Sequence, residues 1–414
     1  MIRGMESADR WLSRFLCLHV ALIPISIAAG QIWAYFASVL FLLMALRQAP
    51  PPGGYPLMRW VAFYGAAIAL SILFGVRPLY SLAKADRFLL FAVPLAMGAL
   101  AARRPVDSNE QFLERLVTLF LAGCSIKALI DCFRIPIQYI WMRREAIDAS
   151  APYPGLFDLG NMRDPQFYAV AICLLLALVL HRTRGFSRRV VFPALLVNAL
   201  ALLLHFKRGA WFATAAGVLL VALLCGRRKA VFWIVLSVLV AAQIPAVKER
   251  ISLLRDEFRV GAGGRYALWT EVAPELFREY PWGMGWRSVR HADLQQNPAA
   301  VVQPKLNHLH NNLLQIRLET GWAGVGTWLL LMGSALAYAV RGWRRASSRW
   351  RGPALGILAA LLTLHLNGLV EYNAGDAEIF MLMNLLIGLA VAGSLVVGRP
   401  PPADESTPAM PHGC

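Results

Sequence analysis

Residues 377–397 read AEIFMLMNLLIGLAVAGSLVV, a run in which Glu378 is the lone charge. At 1.5 Å per residue a helix of that length covers about 30 Å, the hydrocarbon thickness of a bilayer. Runs of the same kind lie near 15–30, 31–46, 57–75, 87–102, 112–133, 166–181, 190–205 and 210–225, then near 230–247, 321–340 and 353–371. The chain is therefore expected to be an all-α polytopic membrane protein with about twelve transmembrane helices, roughly 20 apolar residues sufficing for each crossing. A tight turn is expected at Gly30-Gln31, between the first two runs. Ten-residue blocks of period-two alternation are absent, which argues against an outer-membrane barrel.

Composition agrees with this reading. Hydrophobic residues make up 58% of the 414 positions and charged ones 16%, against about 45–50% and 25% in soluble domains. Disordered, collagen-like and small disulfide-scaffold classes are excluded. Cys17, Cys124, Cys132, Cys173 and Cys225 fall in the apolar runs and Cys414 at the tail, with no CxxC pair. Neither a disulfide framework nor a metal cluster is indicated.

The net charge is +17, from 41 basic and 24 acidic residues. With the N-terminus in the cytoplasm, Arg3, Arg10 and Arg14, the basic clusters at 182–189, 227–229 and 341–351, and Arg399 all fall on that side. Short loops rich in Lys and Arg stay inside, while long loops are exempt from the rule. Both termini are then cytoplasmic, and the N-terminus reads as a signal anchor, Ser26-Ile27-Ala28 being a poor cleavage site. The expected organisation is spans one to nine over 1–247, a long external loop over 248–310, spans ten to twelve over 311–398, and a disordered cytoplasmic tail over 399–414. No nucleic acid is expected as a partner, because the charge sorts by membrane side. The spans lack the inverted halves of many transporters, although a transporter remains the rival from a different class.

Within the long loop, Val247, Ile251, Leu254 and Phe258 recur at helical spacing, as do Trp269, Val272, Ala273, Leu276, Phe277 and Tyr280. Pro274 should kink the second helix, and Gly261, Gly263 and Gly264 form a hinge between the two. The loop ends in Asn307-His308-Leu309-His310-Asn311-Asn312. Asn307 is a reasonable N-cap, which puts both histidines in a first helical turn, where the helix dipole favours a neutral ring able to accept a proton. Two residues on a helix are about 200° apart, so both rings face one point only if the helix starts later than His308. The plainer reading is an interfacial pair bonded to loop backbone. A metal site would need further ligands, and His291, Asp293 and Glu319 are scattered.

Arginines and lysines gather on the same side. Lys207 and Arg208 sit in a very short external turn, Arg265 follows the glycine hinge, and Arg77, Lys84 and Arg87 crowd another short loop against the positive-inside trend. Each has a plainer reading, snorkelling to lipid phosphate or solvation. Together with an apolar bundle and a candidate base, they suit a lipid-linked phosphate or diphosphate, which arginine binds bidentately while staying charged.

Several motifs resemble the O-antigen ligase family, within the superfamily that also holds O-antigen polymerases and protein O-oligosaccharyltransferases. They are Lys207-Arg208-Gly209-Ala210, Gly264-Arg265-Tyr266-Ala267-Leu268-Trp269 and Pro281-Trp282-Gly283-Met284-Gly285. His310-Asn311-Asn312-Leu313-Leu314-Gln315 with Glu319-Thr320-Gly321, and Asn367-Gly368-Leu369-Val370-Glu371-Tyr372-Asn373 with Asp376, complete the set. The resemblance implies a GT-C-type glycosyltransferase of the bacterial inner membrane, active on the periplasmic face without metal or other cofactor. It would move a glycan from undecaprenyl diphosphate to lipid A-core, so its partners would be those two lipids and the membrane. His308 or His310 would be the catalytic base, Arg208 and Arg265 would hold the diphosphate, and Lys84, Arg87 and Lys207 would bind further phosphate. A polymerase is the nearest rival, and a protein O-oligosaccharyltransferase the next.

Overall fold

The computed structural model describes residues 2–48, 50–51, 54–149, 164–183, 185–252, 254, 265–289 and 308–396. The expected tail at 399–414, the Gly261–Gly264 hinge, Phe258, His291, Asp293 and Asn307 lie outside the described residues. Those described are overwhelmingly helical, and none is in a strand. Chain order gives α1 (Ile2–Leu22), α2 (Ile27–Arg47), α3 (Met58–Leu73), α4 (Pro78–Ala83), a 3-10 turn (Ala85–Phe91) and α5 (Ala92–Arg103). Then come α6 (Val106–Ala149), α7 (Asp164–His181), α8 (Arg188–Leu204), α9 (Arg208–Leu224), α10 (Arg228–Ala241) and α11 (Pro245–Ser252). Residues 265–279 form α12, followed by α13 (Asn312–Arg345), α14 (Arg351–Asn367) and α15 (Ala377–Val396).

Six helical stretches are long and apolar enough to cross a membrane alone: α2, Pro78–Arg103, Val106–Trp141 of α6, α7, α13 and α15. The pair α10 and α11, bent by 85°, would make a seventh, while α3 and α9 are apolar but shorter. Each expected run overlaps a helix, but length and apolarity alone support fewer crossings than twelve.

Several boundaries differ from expectation for identifiable reasons. The α1–α2 turn lies at Ile23–Ser26 and not at Gly30-Gln31. Pro24 cannot donate to a continuing helix, and the Ser26 hydroxyl caps α2 by accepting from Ala29 N at 3.4 Å. Gly30 is instead a packing glycine, since a Cβ there would stand 2.8 Å from Ile23 Cα. Helix α6 runs on to Ala149, well past the expected end of its apolar run near 133.

At the centre, α7, α14 and α15 are buried along nearly their whole lengths, so their apolar residues run on without a polar stripe. The outer helices expose large apolar side chains such as Phe232, Trp233 and Leu239 of α10, as lipid-facing helices do. A second, smaller core lies at one end of the bundle, where Leu268, Val272, Ala273 and Leu276 of α12 pack on Met284, Leu309 and Leu318. The expected amphipathic helix is therefore present, with its apolar face on the start of α13. Just before Pro274, Leu268–Val272 adopts π-helix, and Ala273 N–H reaches back to Leu268 O.

Candidate active site

The first turn of α13 is built by Asn311, whose side chain accepts from Leu313 N at 2.9 Å and Leu314 N at 3.1 Å. Asn311 is thus the N-cap, and the expected placement of both histidines inside the first turn is corrected. His308 and His310 precede the helix, with His310 at φ 49°. Freed from helical geometry, the two rings meet edge to face with centroids 4.1 Å apart. The late helix start thus meets the condition under which both rings can face one point.

The segment between α14 and α15 is clamped against this turn. Asn312 N donates to Gly368 O at 2.7 Å, Asn311 Nδ2 to Leu369 O at 2.8 Å, and Ala374 N to Asn312 Oδ1 at 3.1 Å. That clamp sets Glu371 beside the histidines. His310 Nδ1 lies 3.2 Å from Glu371 Oε2, and Arg265 Nη2 lies 2.5 Å from Glu371 Oε1. Burial alone would raise the Glu371 carboxyl, but the His310 hydrogen bond and the charges of Arg265, His310 and His308 hold it below the ordinary 4.5. Tyr372 follows, its hydroxyl donating to Glu319 at 3.1 Å and its ring 5.9 Å from His308. Glu319 also accepts from Gln315 Nε2 at 2.9 Å, while Gln315 Oε1 accepts from Leu309 N at 2.9 Å.

Two glycine motifs lock α12 and its following turn to α13. Gly321 takes φ 68° inside α13 and breaks its helical ladder. The carbonyls of Leu318 and Glu319 thereby receive Met284 N at 2.7 Å and Gly285 N at 3.1 Å. A Cβ on Gly283 would lie 2.6 Å from Glu319 O, and one on Gly321 would lie 2.8 Å from Trp282 O. Both positions also have positive φ, so glycine is required twice over. Arg317 reinforces the joint, its guanidinium 4.9 Å from each of the Phe277 and Trp322 ring centroids.

Arg208 opens α9 and is 6% exposed, its Nη1 donating to Arg250 O at 3.2 Å. The Gly209 backbone presses on the clamp segment, where a Cβ would stand 2.9 Å from Asn367 Nδ2 and 3.0 Å from Val370 Cγ2. The Lys207-Arg208-Gly209 turn therefore abuts the segment that carries Glu371. At that segment's other end, Arg87 Nη1 donates to Gly375 O at 2.9 Å, and Arg287 Nη2 binds the same carbonyl. Lys84 accompanies them, its carbonyl accepting from Trp286 Nε1 at 3.2 Å. The expected loop around Arg77, Lys84 and Arg87 is in fact α4 and the 3-10 turn running into α5.

Of the residues singled out in the sequence, His310 and Arg265 meet directly at Glu371, and His308 packs against the His310 ring. Lys207 and Arg208 lie behind Glu371, and Lys84 and Arg87 gather at Gly375. Glu371, Tyr372 and Arg287 were given no individual role by the sequence. Glu371 stood within a quoted motif, but its partners are 61 and 106 residues away in the chain.

Behind α9, Asp131, Asp164 and His205 offer ligand atoms within 4.8 Å of one another. The ammonium of Lys127 stands where a cation would, 2.9 Å from both carboxylates, so the cluster is a closed ion-pair network.

The fold and this site together define a multi-pass membrane protein with a histidine–carboxylate–arginine centre at one end of its helical bundle. A sequence model of the family described as O-Antigen ligase matches residues 193–329, which carries Arg208, Arg265, His308 and His310. That segment, about a third of the chain, is what is similar to the family. Glu371, Lys84 and Arg87 fall outside the matched residues. No curated protein matches the chain.

Proposed function

We propose that the chain is an O-antigen ligase proper, transferring a glycan from undecaprenyl diphosphate to lipid A-core at the periplasmic face of the bacterial inner membrane. The observation that carries this reading is the His310–Glu371–Arg265 constellation, which unites a proton acceptor, its orienting carboxylate and an anion-binding arginine. The reaction is a direct inverting displacement needing no divalent metal. The acceptor hydroxyl oxygen forms a bond to the anomeric carbon as the bond to the diphosphate oxygen breaks. The proton passes to the histidine, and the electron pair leaves with the diphosphate.

The hydrogen bonds favour His310 over His308 as the base. His310 Nδ1–H donates to Glu371, so the neutral ring keeps an accepting Nε2. His308 Nδ1 already accepts from His310 N at 3.3 Å, which in the neutral ring puts the proton on Nε2. Glu371 then orients and charge-balances the imidazolium formed during transfer. Arg265 and Arg208 stabilise the departing diphosphate, and a low-dielectric setting such as buried Arg208 occupies strengthens that effect. Lys84, Arg87 and Lys207 supply further positive charge for lipid phosphates.

The test is transfer by purified protein given both lipids in excess EDTA. Arg265→Ala and Arg208→Ala are expected to abolish transfer while remaining folded; activity restored by magnesium or zinc, or wild-type rates in both variants, would overturn the scheme. Lipopolysaccharide electrophoresis of a deletion strain separates ligase from polymerase. Core without O-chain, with lipid-linked polymer accumulating, is the expected result, and core bearing a single repeat unit would mean a polymerase.

A further inference from the structure

Two charged side chains lie in apolar runs and take no part in the site at Glu371. Glu378, the lone charge of the last run, is 3% exposed at the start of α15, and Lys127 sits within α6. A charge inside a membrane-spanning helix is costly, so each calls for a reason. Both line a cavity of about 300 Å³, together with Arg134, Asp164 and the α1–α2 turn around Pro24. That volume falls at the small end of the range for small-molecule sites. Asp164 opens α7, and Gln166 in the same turn donates to Asn367 Oδ1 at 2.6 Å. The cavity therefore lies at the end of the bundle that carries the clamp segment.

The lining is balanced, with two bases and two acids, but its bonding capacity is unevenly filled. Lys127 is saturated, its ammonium 2.9 Å from both Asp131 oxygens and from Asp164 Oδ2. Arg134 gives Nε to Asp131 at 2.9 Å and Nη1 to Gln138 at 3.0 Å. Among the described residues, Arg134 Nη2 and Asp164 Oδ1 make no hydrogen bond. A donor for an anionic oxygen thus shares one cavity with carboxylate acceptors for a cation. A simple anion would meet Asp164 and Glu378, and a simple cation would meet Lys127 and Arg134. A group carrying both charges avoids either repulsion and gains charge-assisted hydrogen bonds at each end. The surroundings are apolar. Ile25 and Ile27 are exposed beside the cavity, and Ile126, Ile130 and Phe133 are exposed at helical spacing along the adjoining flank of α6.

We infer that this cavity binds the zwitterionic headgroup of an aminophospholipid, its phosphate on Arg134 and its primary ammonium on Asp164 and Glu378. The acyl chains lie along α6 beside Ile126, Ile130 and Phe133. The ligand is a resident lipid and not a substrate, and the inference does not depend on the reaction proposed above. It wedges the α1–α2 turn, α6, α7 and the start of α15 into one frame. Because α15 begins just beyond the clamp segment and Gln166 holds Asn367 at that segment's start, the frame steadies the strip of chain that carries Glu371.

The experiment titrates the full chain in detergent with phosphatidylethanolamine, phosphatidylcholine and phosphatidylglycerol of identical acyl chains, and reads single-lipid binding by native mass spectrometry. Phosphatidylcholine keeps both charges but its trimethylated nitrogen has no N–H to donate, and phosphatidylglycerol lacks the cation. Wild type is expected to bind phosphatidylethanolamine about tenfold more tightly than either, equivalent to about 1.4 kcal/mol. Glu378→Gln should erase most of the preference over phosphatidylcholine, whereas Arg134→Gln should weaken both lipids alike. Equal wild-type affinities for the three lipids, or a preference for phosphatidylglycerol, overturns the inference, and that comparison needs no variant to fold. Soluble phosphoethanolamine, which has no chains, should bind far more weakly. Binding as tight as the lipid's would assign the cavity to a free phosphate ester and overturn the lipid assignment. Displacement of phosphatidylethanolamine by a neutral oligosaccharide would assign the cavity to sugar and overturn it equally.

Discussion

At the residue scale, Glu371 is the junction of the site, since His310 and Arg265 each take one of its oxygens. His310→Ala should lower the transfer rate by about 10²–10⁴-fold, the usual contribution of a positioned base, whereas His308→Ala should cost far less; the reverse order in single-turnover rates would exchange their roles. Glu371 also sets a pH dependence. Its carboxyl is held below the ordinary 4.5 in the folded protein, so its stabilisation is complete above that value and lost as pH falls through the depressed one. The melting temperature of wild type should therefore exceed that of Glu371→Gln at neutral pH, and the gap should close only in acid below 4.5. A gap that persists unchanged there would contradict the assigned ionisation. The histidines and arginines were legible in the sequence because such residues beside apolar runs demand a reason. Their mutual arrangement was not, because Glu371 reaches them through a clamp that pairs Asn311 and Asn312 with backbone groups of a distant segment, and those backbone groups leave no mark in residue identity.

At the scale of elements, α12 and the first turns of α13 behave as one cap with its own small core. Leu276 is fully buried in that core, and Leu276→Ala should cost about 2–5 kcal/mol, read as faster proteolysis or hydrogen exchange of residues 265–289 with the bundle still protected. Gly283→Ala forces a Cβ onto Glu319 O at positive φ, so a loss of about 1–3 kcal/mol is expected from the backbone conformation alone. An unchanged melting curve would mean that the turn moves freely from α13. The amphipathic face of α12 could be read from spacing, since Val272, Ala273 and Leu276 repeat at helical intervals. The start of α13 could not, because Asn307, Asn311 and Asn312 are all acceptable caps by type and tertiary clamping chose Asn311. The α1–α2 turn moved for a related reason, a packing glycine having the same letter as a turning one.

For the whole molecule, the bundle and its polar cap follow from composition alone, but the number of crossings does not. Helices such as α3 and α9 are apolar yet short, and what completes a crossing is packing and lipid, which no single run of residues encodes. The proposed orientation places the cap in the periplasm and both termini in the cytoplasm. Alkaline phosphatase fused after residue 396 should therefore be inactive, and the same reporter inserted near residue 295 should be active; the opposite pattern would invert the molecule. The break at Gly321 has a consequence for how such a molecule can change over generations. Gly283 and Gly321 each fill the space that a side chain on the other's motif would need. Neither can be exchanged alone, and no partner substitution compensates, because each meets backbone and not a side chain. The two motifs, 38 positions apart in the chain, are thus a single heritable unit, and lineages can vary the rest of the cap only around that fixed rivet.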